Sequence, residues 1–543
     1  MESDAPNTES DLDHEVIVIG AGVAGLYQMK RLVDAGIDAI GLEGNDDLGG
    51  TWYNNRYPGA RFDSESYTYG YSWSRELLDD WDWTEHFAPQ PETLRYLNHV
   101  ADRFDLRRHF RFNTRVDALT FDEGSDRWEV RLEGGEVLVC RVVITAIGVL
   151  SMPTYPRIDG VDRFQGPSFH PFHWPAEGID LVGKRVAVIG TGATAIQLIP
   201  EVAKEASQLT VFQRRPNWAA PLNNGPISPE EMADIRSRYD EIFEQCRQSA
   251  GGFLHSADRR GFWNLSREER LAFWDELYDG PGFGIWLANF IEIVLEAEAN
   301  AEFSEYIADR IRGRVDDPEL AEKLIPRDHG FGVQRVPLET GYFETYNRDN
   351  VTLVDASETP IECVTETGIQ TTEGHQDFDV IVYATGFDAF TGGFDKMTIS
   401  GVDGQRLTDK WADGPRTYVG LMVSGFPNFV MLAGPQIAAT NFPQAIEAAV
   451  DWTSGLLDYA AEHGHRRFEA EVAAEDAWQD EVKMTYDLVL TGTSKGWITG
   501  YNSNVDGHEY GTIRYNTYQG GAPRYQTRIS AIADEGYDGV RFG

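Results

Sequence analysis

The stretch HEVIVIGAGVAGLYQMKRLVDAGIDAIGLEGN, residues 14–45, decides the fold. An apolar strand leads into three glycines with the spacing G-x-G-x-x-G, namely Gly20, Gly22 and Gly25. A helical pattern over 26–34 and a second strand over 37–42 follow, and that strand ends at Glu43. Such glycines make a tight turn, let a pyrophosphate approach the backbone and let the helix pack on the strand. Because the helix N-terminus attracts phosphate and Glu43 can accept ribose hydroxyls, the stretch predicts a site for a dinucleotide with a free ribose.

A second copy of the pattern lies in KRVAVIGTGATAIQLIPEVAKEASQLTVFQRRPNW, residues 184–218. Its small residues are Gly190, Gly192 and, in third place, Ala195. The following strand ends at Arg214 and Arg215, where the first copy has an acid. A guanidinium pair binds a 2′-phosphate that an acid would repel, so the second loop favours NADP; the alternative is a solvated surface pair. Two such loops in one chain indicate a flavin and a nicotinamide, between which hydride passes.

Two further strand patterns complete these units. RVVITAIGVLS (141–151) and FDVIVYATGFD (378–388) are buried-type strands that close on small residues. The chain between the second loop and residue 331 has helical periodicity instead. We predict an α/β fold with two Rossmann-like dinucleotide-binding domains, for FAD and for NADP, and a helical insertion. The predicted boundaries are FAD domain 1–150 and 385–543, NADP domain 151–221 and 331–384 with linker 151–180, and insertion 222–330.

Composition excludes several classes of protein. The chain has 543 residues, of which 41% are hydrophobic, enough for a large core. No apolar run approaches the roughly 18 residues that span a bilayer, and the acidic start lacks a signal-peptide pattern, so we expect a cytoplasmic protein without a membrane partner. The three cysteines are far apart and form no CxxC pair, which argues against a disulfide reductase. The histidines lack ligand spacing, so we expect no metal.

The charge balance is strongly acidic. Asp and Glu number 88 against 47 Lys and Arg, a net charge of −41. A field of this sign repels nucleic acid, and its self-repulsion destabilises a compact chain unless salt screens it. One hypothesis is therefore a protein from a salt-loving organism, and the alternative is an ordinary acidic protein.

The connector between the loops has its own pattern. FQGPSFHPFHWP, residues 164–175, reads F-x-G-x-x-x-H-x-x-x-W-P. It resembles the fingerprint of the Baeyer–Villiger monooxygenases, flavoproteins that insert an oxygen atom beside a ketone carbonyl, and every fixed position is present: Phe164, Gly166, His170, Trp174 and Pro175. The resemblance covers nearly the whole chain and is strongest to the phenylacetone and cyclohexanone monooxygenase branch.

The resemblance implies a reaction. In that family NADPH reduces FAD, O2 adds to the reduced flavin, and the resulting C4a-peroxyflavin attacks a ketone to give an ester or lactone, with sulfoxidation as a side activity. Arg335, in FGVQR, matches the family's catalytic arginine, and Asp63, in GARFD, matches the acid that partners it. A guanidinium stays charged at any working pH, so it can stabilise the negative oxygen species.

The resemblance also implies cofactor contacts. Outside the first glycine loop and Glu43, the implied cofactor-binding residues are Gly50, Thr51, Trp52, Tyr53, Asp63, Tyr69, Val116, Thr191, Gly192, Ala193, Thr194, Ala195, Gln197, Arg214, Arg215, Gln334, Arg335 and Trp497. Gln334 is a departure, because relatives commonly have lysine there, and it leaves the strictness for NADPH over NADH open. Substrate contacts are expected from 434–442 and from the segment near Trp497.

Alternatives remain open from the residues alone. An N- or S-oxygenating flavin monooxygenase is disfavoured by the Trp174–Pro175 ending, and an NAD(P)H-flavin reductase without coupled oxygenation would need no Arg335. For His170, a hydrogen bond to backbone across the linker competes with a catalytic role. We expect a monomer that takes a small ketone and O2 and binds no nucleic acid.

The charge predicts a dependence on salt. If screening removes the self-repulsion of the acidic side chains, the melting temperature of the holoprotein rises between low and molar KCl. Thermal unfolding monitored by tryptophan fluorescence over that range measures it. A melting temperature that stays level across the series would contradict the hypothesis of a salt-loving protein.

Overall fold

The computed structural model of the protein describes residues 12–438, 440–508 and 511–543. Its strands are, in chain order, β1 (His14–Ile19), β2 (Ala39–Leu42), β3 (Phe110–Arg111), β4 (Val116–Asp122), β5 (Arg127–Leu132), β6 (Val137–Thr145), β7 (Ser168–Phe169), β8 (Arg185–Ile189), β9 (Gln208–Gln213), β10 (Ala220–Pro221), β11 (Leu338–Glu339), β12 (Val351–Asp355), β13 (Ile361–Val364), β14 (Gly368–Thr371), β15 (Gly374–Asp377), β16 (Val380–Tyr383), β17 (Thr398–Ser400), β18 (Phe429–Met431), β19 (Phe468–Ala470) and β20 (Val540–Phe542).

The helices join and cover these strands. They are α1 (Val23–Asp34), α2 (Thr51–Asn54), α3 (Ser66–Tyr69), α4 (Arg75–Asp80), α5 (Gln90–Arg103), α6 (Ala193–Glu205), α7 (Pro229–Ser237), α8 (Tyr239–Gln248), α9 (Arg267–Asp279), α10 (Gly284–Leu287), α11 (Glu292–Leu295), α12 (Ala297–Arg312), α13 (Pro318–Leu324), α14 (Tyr342–Thr345), α15 (Gly392–Asp395), α16 (Leu407–Lys410), α17 (Phe442–Glu462), α18 (Val472–Tyr486) and α19 (Ala522–Asp534).

The first sheet is built around β1. Its order is β17-β4-β5-β6-β1-β2-β3, and β18 adds to β6. β1 pairs in parallel with both β2 and β6, and its side chains Ile17 and Val18 are fully buried, as expected for a strand covered on both faces. Because β17 and β18 come from the later part of the chain, the pairing supports the proposed assignment of 1–150 and 385–543 to one domain.

The second sheet repeats this plan. Its order is β12-β9-β8-β16-β7, and all its pairs are parallel. An antiparallel sheet of β13, β14 and β15 lies between β12 and β16 in sequence. β7 comes from the linker and pairs with β16, so the aromatic connector is the edge strand of the second sheet.

The helical segment lies between two short strands. β10 and β11 pair in parallel at Ala220–Pro221 and Leu338–Glu339, and helices α7 to α13 lie between them in sequence. Trp274, Phe262 and Phe303 are buried in the same core cluster as the second sheet. The segment is therefore helical, as the sequence predicts.

The first glycine loop differs from its predicted bounds by a few residues. α1 begins at Val23 rather than at residue 26, because Gly22 is already the extended N-cap. β2 begins at Ala39 rather than at 37, because the backbone N–H of Ile37 donates to Leu32 O in the turn that closes α1. The helix N-terminus therefore faces the turn at Gly20 and Gly22 directly.

The two glycine loops differ in whether a side chain fits at the third small residue of the motif, which is Gly25 in the first loop and Ala195 in the second. A Cβ at Gly25 would lie 1.9 Å from the carbonyl oxygen of Gly20, whereas the second loop accommodates Ala195 fully buried. We expect Gly25→Ala to force β1 and α1 apart and to lower FAD content and melting temperature sharply. Ala195→Gly, the matched change, costs about 1 kcal/mol of helix propensity. Equal FAD content and stability in the two variants would contradict this account.

Candidate active site

A single cleft of about 1550 Å³ receives both glycine loops. The carboxyl ends of β1 and β8 open onto it, as expected where parallel strands end. The predicted site residues that line it are Gly20, Gly22, Glu43, Gly50, Thr51, Trp52, Asp63, Tyr69, Val116, Thr191, Gly192, Ala193, Thr194, Gln197, Arg214, Arg215, Gln334, Arg335 and Trp497. Gly25 and Ala195 lie behind this surface, where helix packs on strand. Of the predicted substrate segment, Thr440 to Phe442 line the cleft, and Ala439 is outside the described residues.

Tyr53 is the predicted cofactor residue that turns away from the cleft. In the short helix α2, Trp52 is buried toward the cleft. The Tyr53 hydroxyl instead donates to Asp46, and the guanidinium of Arg56 lies 4.4 Å from its ring centroid. The side chain of Tyr53 therefore does not line the cleft, and the implied cofactor contact of this residue stays a prediction.

The first loop has the geometry of a dinucleotide cradle. A Cβ at Gly50, whose φ is +53°, would lie 2.9 Å from the Cα of Gly22, so any side chain at this position would fill the space between the two glycines. The carboxylate of Glu43 is buried and accepts hydrogen bonds of 2.8 Å from the N–H groups of Ala21 and Asn45. Burial raises the pKa of Glu43, and these N–H donors oppose that shift. Each oxygen keeps a lone pair for a ribose hydroxyl, so the residues fit FAD.

The wall beyond this loop is aromatic. The indole N–H of Trp52 donates to the Tyr69 hydroxyl at 2.9 Å, and Tyr69 stacks on Phe62 at 4.3 Å between centroids. Burial raises the pKa of Tyr69 to about 12, so its hydroxyl stays protonated. Such a rigid, largely apolar wall excludes water from a bound ring system.

The second loop leads to a pair of guanidinium groups. A Cβ at Gly192 would meet nothing within 4 Å, so the turn is open to a phosphate. After β9, Arg214 donates to Ser503 Oγ at 2.7 Å, and the Arg215 guanidinium lies 5.2 Å from the Tyr501 ring centroid. Burial lowers the pKa of Arg214, and the neighbouring charge of Arg215 acts in the same direction. Both guanidinium groups line the cleft, which suits an anionic ligand.

Arg335 and Asp63 form an ion pair on the cleft wall. Arg335 Nη2 donates to Asp63 Oδ2 at 2.7 Å. The Asp63 side chain is 1% exposed and that of Arg335 is 35% exposed. Burial raises the pKa of Asp63, while the Arg335 charge and the N–H of Leu338, 3.3 Å from the same oxygen, oppose that shift. The carboxylate therefore orients a permanent cation whose free edge faces the cleft.

Gln197 has a role that the sequence did not predict. Its Nε2 donates to Arg61 O at 3.0 Å and to Asp63 Oδ1 at 3.3 Å, and its Oε1 accepts from the Tyr57 hydroxyl at 2.9 Å. The helix that follows the second glycine loop is thereby joined to the segment that carries Asp63. The sequence analysis did not identify Tyr57 as a site residue. A signal was present two residues later: a Cβ at Gly59 would lie 2.4 Å from Gln197 O, so a glycine is needed where this segment packs on α6.

His170 joins the linker to the end of β16. Its Nε2 donates to Gly386 O at 3.0 Å and its Nδ1 accepts from the Phe172 N–H at 3.1 Å, which defines a neutral imidazole. The residue is 1% exposed, and burial lowers its pKa to about 4. The side chain does not line the cleft, so the geometry favours the interpretation as a backbone hydrogen bond across the linker.

Two kinds of feature are absent from residues 12–438, 440–508 and 511–543. Within these ranges, no helix has the length and apolar character needed to cross a bilayer. Nor do the described ranges bring three or more His, Cys, Asp or Glu side chains together in a metal-binding cluster.

The fold and the cleft define a class of protein. Two glycine loops that open on one cleft, with an ion-paired guanidinium on the wall of that cleft, are the arrangement of an oxidoreductase that uses a flavin and a nicotinamide. A family model described as flavin-binding monooxygenase-like matches residues 13–246.

Known proteins are similar along the whole chain. The 2-oxo-Δ(3)-4,5,5-trimethylcyclopentenylacetyl-CoA monooxygenase of Pseudomonas putida is 45% identical, over 97% of this chain and 97% of its own length. The cyclopentanone 1,2-monooxygenase of a Comamonas species is 37% identical, over 97% of this chain and 95% of its own. The crystal structure of OTEMO in complex with FAD and NADP has a TM-score of 0.94 at 44% identity and covers 98% of this chain and 100% of that one. The chain belongs to the Baeyer–Villiger monooxygenase family, and the predicted family and fold class are confirmed.

The buried, neutral His170 should make the free energy of unfolding fall at acid pH. An exposed imidazole has a pKa of about 6.5. Because that of His170 is about 4 in the folded protein, the unfolded chain binds a proton first as the pH falls below about 6.5. Stability is then lost by about 1.4 kcal/mol per pH unit until about pH 4. Urea unfolding at several pH values should show a shallower acid loss in His170→Gln. The exposed His463→Gln is the control, and identical slopes in all three proteins would contradict the assignment.

Proposed function

We propose that the protein catalyses the NADPH- and O2-dependent conversion of a ketone to an ester or lactone, with FAD as its bound cofactor. The cofactor prediction of FAD and NADP is confirmed, because the OTEMO structure is a complex with both and the structures of a steroid monooxygenase and a cyclohexanone monooxygenase are bound to NADP. The observation that carries the proposal is the Arg335–Asp63 pair, which presents a fixed cation to the cleft shared by both glycine loops.

FAD, when bound, supplies the hydride acceptor and the centre at which O2 is activated. The chain's own residues supply charge and shape. Arg335 stabilises negative charge on oxygen at the reacting centre, and Asp63 holds its guanidinium in one orientation. Phe283, whose ring centroid lies 6.0 Å from that guanidinium, and Trp52 help to exclude water.

The nicotinamide cofactor is assigned to the second loop. We propose that Thr191, Gly192 and the N-terminus of α6 hold its pyrophosphate, while Arg214 and Arg215 bind the 2′-phosphate. The first loop and Glu43 then bind FAD, which has a free ribose. This division follows the proposed domain boundaries, with FAD on the first sheet and NADPH on the second.

The cleft favours an apolar, cyclic ketone. The part of the wall that the insertion and the later segments contribute carries large apolar side chains, namely Phe253, Phe283, Trp286, Leu287, Phe442 and Ile446. Such a wall binds a hydrocarbon ring by burial and leaves the carbonyl for Arg335. Two relatives are named for compounds with a five-membered carbon ring, one a 2-oxo cyclopentenyl acetyl-CoA and the other cyclopentanone, which supports a cyclic ketone as substrate.

The remaining assignments stay predictions. A monomer located in the cytoplasm is the state we propose, and sedimentation of the holoprotein tests its first part. The proposed adaptation to salt rests on the net charge of −41 alone.

Arg335 provides the decisive test of the reaction. Arg335→Ala should retain FAD and NADPH-driven flavin reduction, but ester formation from a cyclic ketone should fall by about 10²–10³ because the oxygen charge loses its stabiliser. Gas chromatography of the ester against NADPH consumed measures the coupling, with the exposed Arg348→Ala as control. Ester formation that persists in Arg335→Ala would remove this role, and hydrogen peroxide without ester in the wild type would favour the uncoupled flavin reductase.

A further inference from the structure

One end of the cleft carries more cations than the sequence motif names. Arg214 and Arg215 follow β9, and Lys495 lines the same cleft from the segment after α18. We call these three residues the cationic end. The next residue, Gly496, shows how this segment is positioned. A Cβ at Gly496 would lie 3.5 Å from Gln334 Oε1, so the segment that carries Lys495 packs on Gln334.

The arginine pair alone is poorly matched to a phosphate. Arg215 Nη1 lies 3.6 Å from Asp328 Oδ2, and Asp328 is also bonded to His329 Nδ1 at 2.7 Å. The hydrogen bond from His329, together with Arg215, lowers the pKa of Asp328, so its carboxylate stays ionised. Two guanidinium charges and one carboxylate leave about one positive charge, whereas a phosphate monoester carries about −1.5 to −2 at neutral pH. Gln334, on the same wall, adds no charge.

Two buried polar atoms at this end lack partners. Ser494 Oγ and His329 Nε2 are buried and have no hydrogen-bond partner within the ranges that the structure describes. Both residues line the cleft beside Lys495. Because buried polar groups are ordinarily hydrogen-bonded, a bound ligand with acceptor oxygens is the natural partner for the Ser494 hydroxyl. His329 Nδ1 donates to Asp328, so Nε2 of the neutral ring is an acceptor and would pair with a donor group of the ligand.

We propose that Lys495 is a specificity-determining residue that completes the 2′-phosphate site and sets the preference for NADPH over NADH. Its ammonium brings a further cation to the phosphate, and the Ser494 hydroxyl supplies a hydrogen bond to the phosphate. This inference rests on the proposed assignment of the nicotinamide cofactor to the second loop. It places the cation for the 2′-phosphate on the segment 494–497 rather than at Gln334.

The test measures binding and not turnover. Dissociation constants of NADP⁺, NAD⁺ and 2′,5′-ADP are determined by titration of the FAD-loaded protein at one ionic strength. Lys495→Met should weaken NADP⁺ and 2′,5′-ADP by about tenfold, as expected for one charged contact, and leave NAD⁺ unchanged. Lys204→Met is the matched control, because Lys204 is exposed, pairs with Glu201 and does not line the cleft.

A second substitution tests the charge itself. If Lys495 provides a missing charge beside Gln334, Gln334→Lys in the Lys495→Met background should restore most of the NADP⁺ affinity. FAD content and melting temperature establish that each variant is folded. An unchanged ratio of NADP⁺ to NAD⁺ affinity in Lys495→Met, or an equal loss for both nucleotides, would overturn the inference.

The outcomes separate this inference from the proposed function. A wild type that binds NADP⁺ no better than NAD⁺ would overturn the assignment of the 2′-phosphate site altogether, and Lys495 with it. A wild type that prefers NADP⁺ while Lys495→Met keeps that preference would leave the cofactor assignment intact and reject the role of Lys495 alone.

Discussion

The structure depends on a carboxylate held almost without solvent beside a guanidinium. Burying Asp63 carries a desolvation cost, which Arg335, the Leu338 N–H and the Gln197 amide offset together. These partners come from distant parts of the chain: Asp63 precedes α3, Gln197 lies in α6 and Arg335 precedes β11. The ion pair can therefore form only when the first sheet, the second sheet and the segment after the insertion are correctly positioned relative to one another. The linker serves the same requirement, since His170 bonds to the backbone at Gly386 and β7 pairs with β16.

The two glycine loops have similar backbone arrangements, but the residues around them favour different nucleotides. Both place a helix N-terminus over a glycine turn, which any dinucleotide can use. After the first, a buried Glu43 is held by backbone donors and suits neutral hydroxyls. After the second, β9 is followed by two arginines, of which Arg215 is paired with Asp328. In the proposed assignment, the residues that select between nucleotides therefore lie at the end of the next strand and not at the glycines, and for the second loop they include Lys495, far later in the chain.

Local pattern made part of this structure predictable. The strands and helices of both loops follow from apolar runs and small residues within a few positions of one another. The predicted first residues of α1 and β2 differ from the observed ones by only two or three positions. The Tyr53 hydroxyl donates to Asp46 and the side chain does not line the cleft, a direction that the sequence pattern does not report. The bonds from Gln197 to the segment at Arg61 and Asp63, and the packing of Gly496 on Gln334, join residues more than 100 positions apart. No periodicity or spacing reports such contacts, so only the folded arrangement reveals them.

Net charge and cofactor selection are connected by screening. In a chain with a net charge of −41, the summed field opposes an approaching phosphate. That field decays over about 10 Å at 0.1 M salt and over about 3 Å at 1 M, so distant acids matter little once salt is present. The same screening removes any long-range attraction by the arginines. At molar salt, only cations that touch the phosphate retain their effect. The proposed adaptation to salt therefore fits a site that gathers several contacting cations from separate segments better than one that relies on a broad positive field.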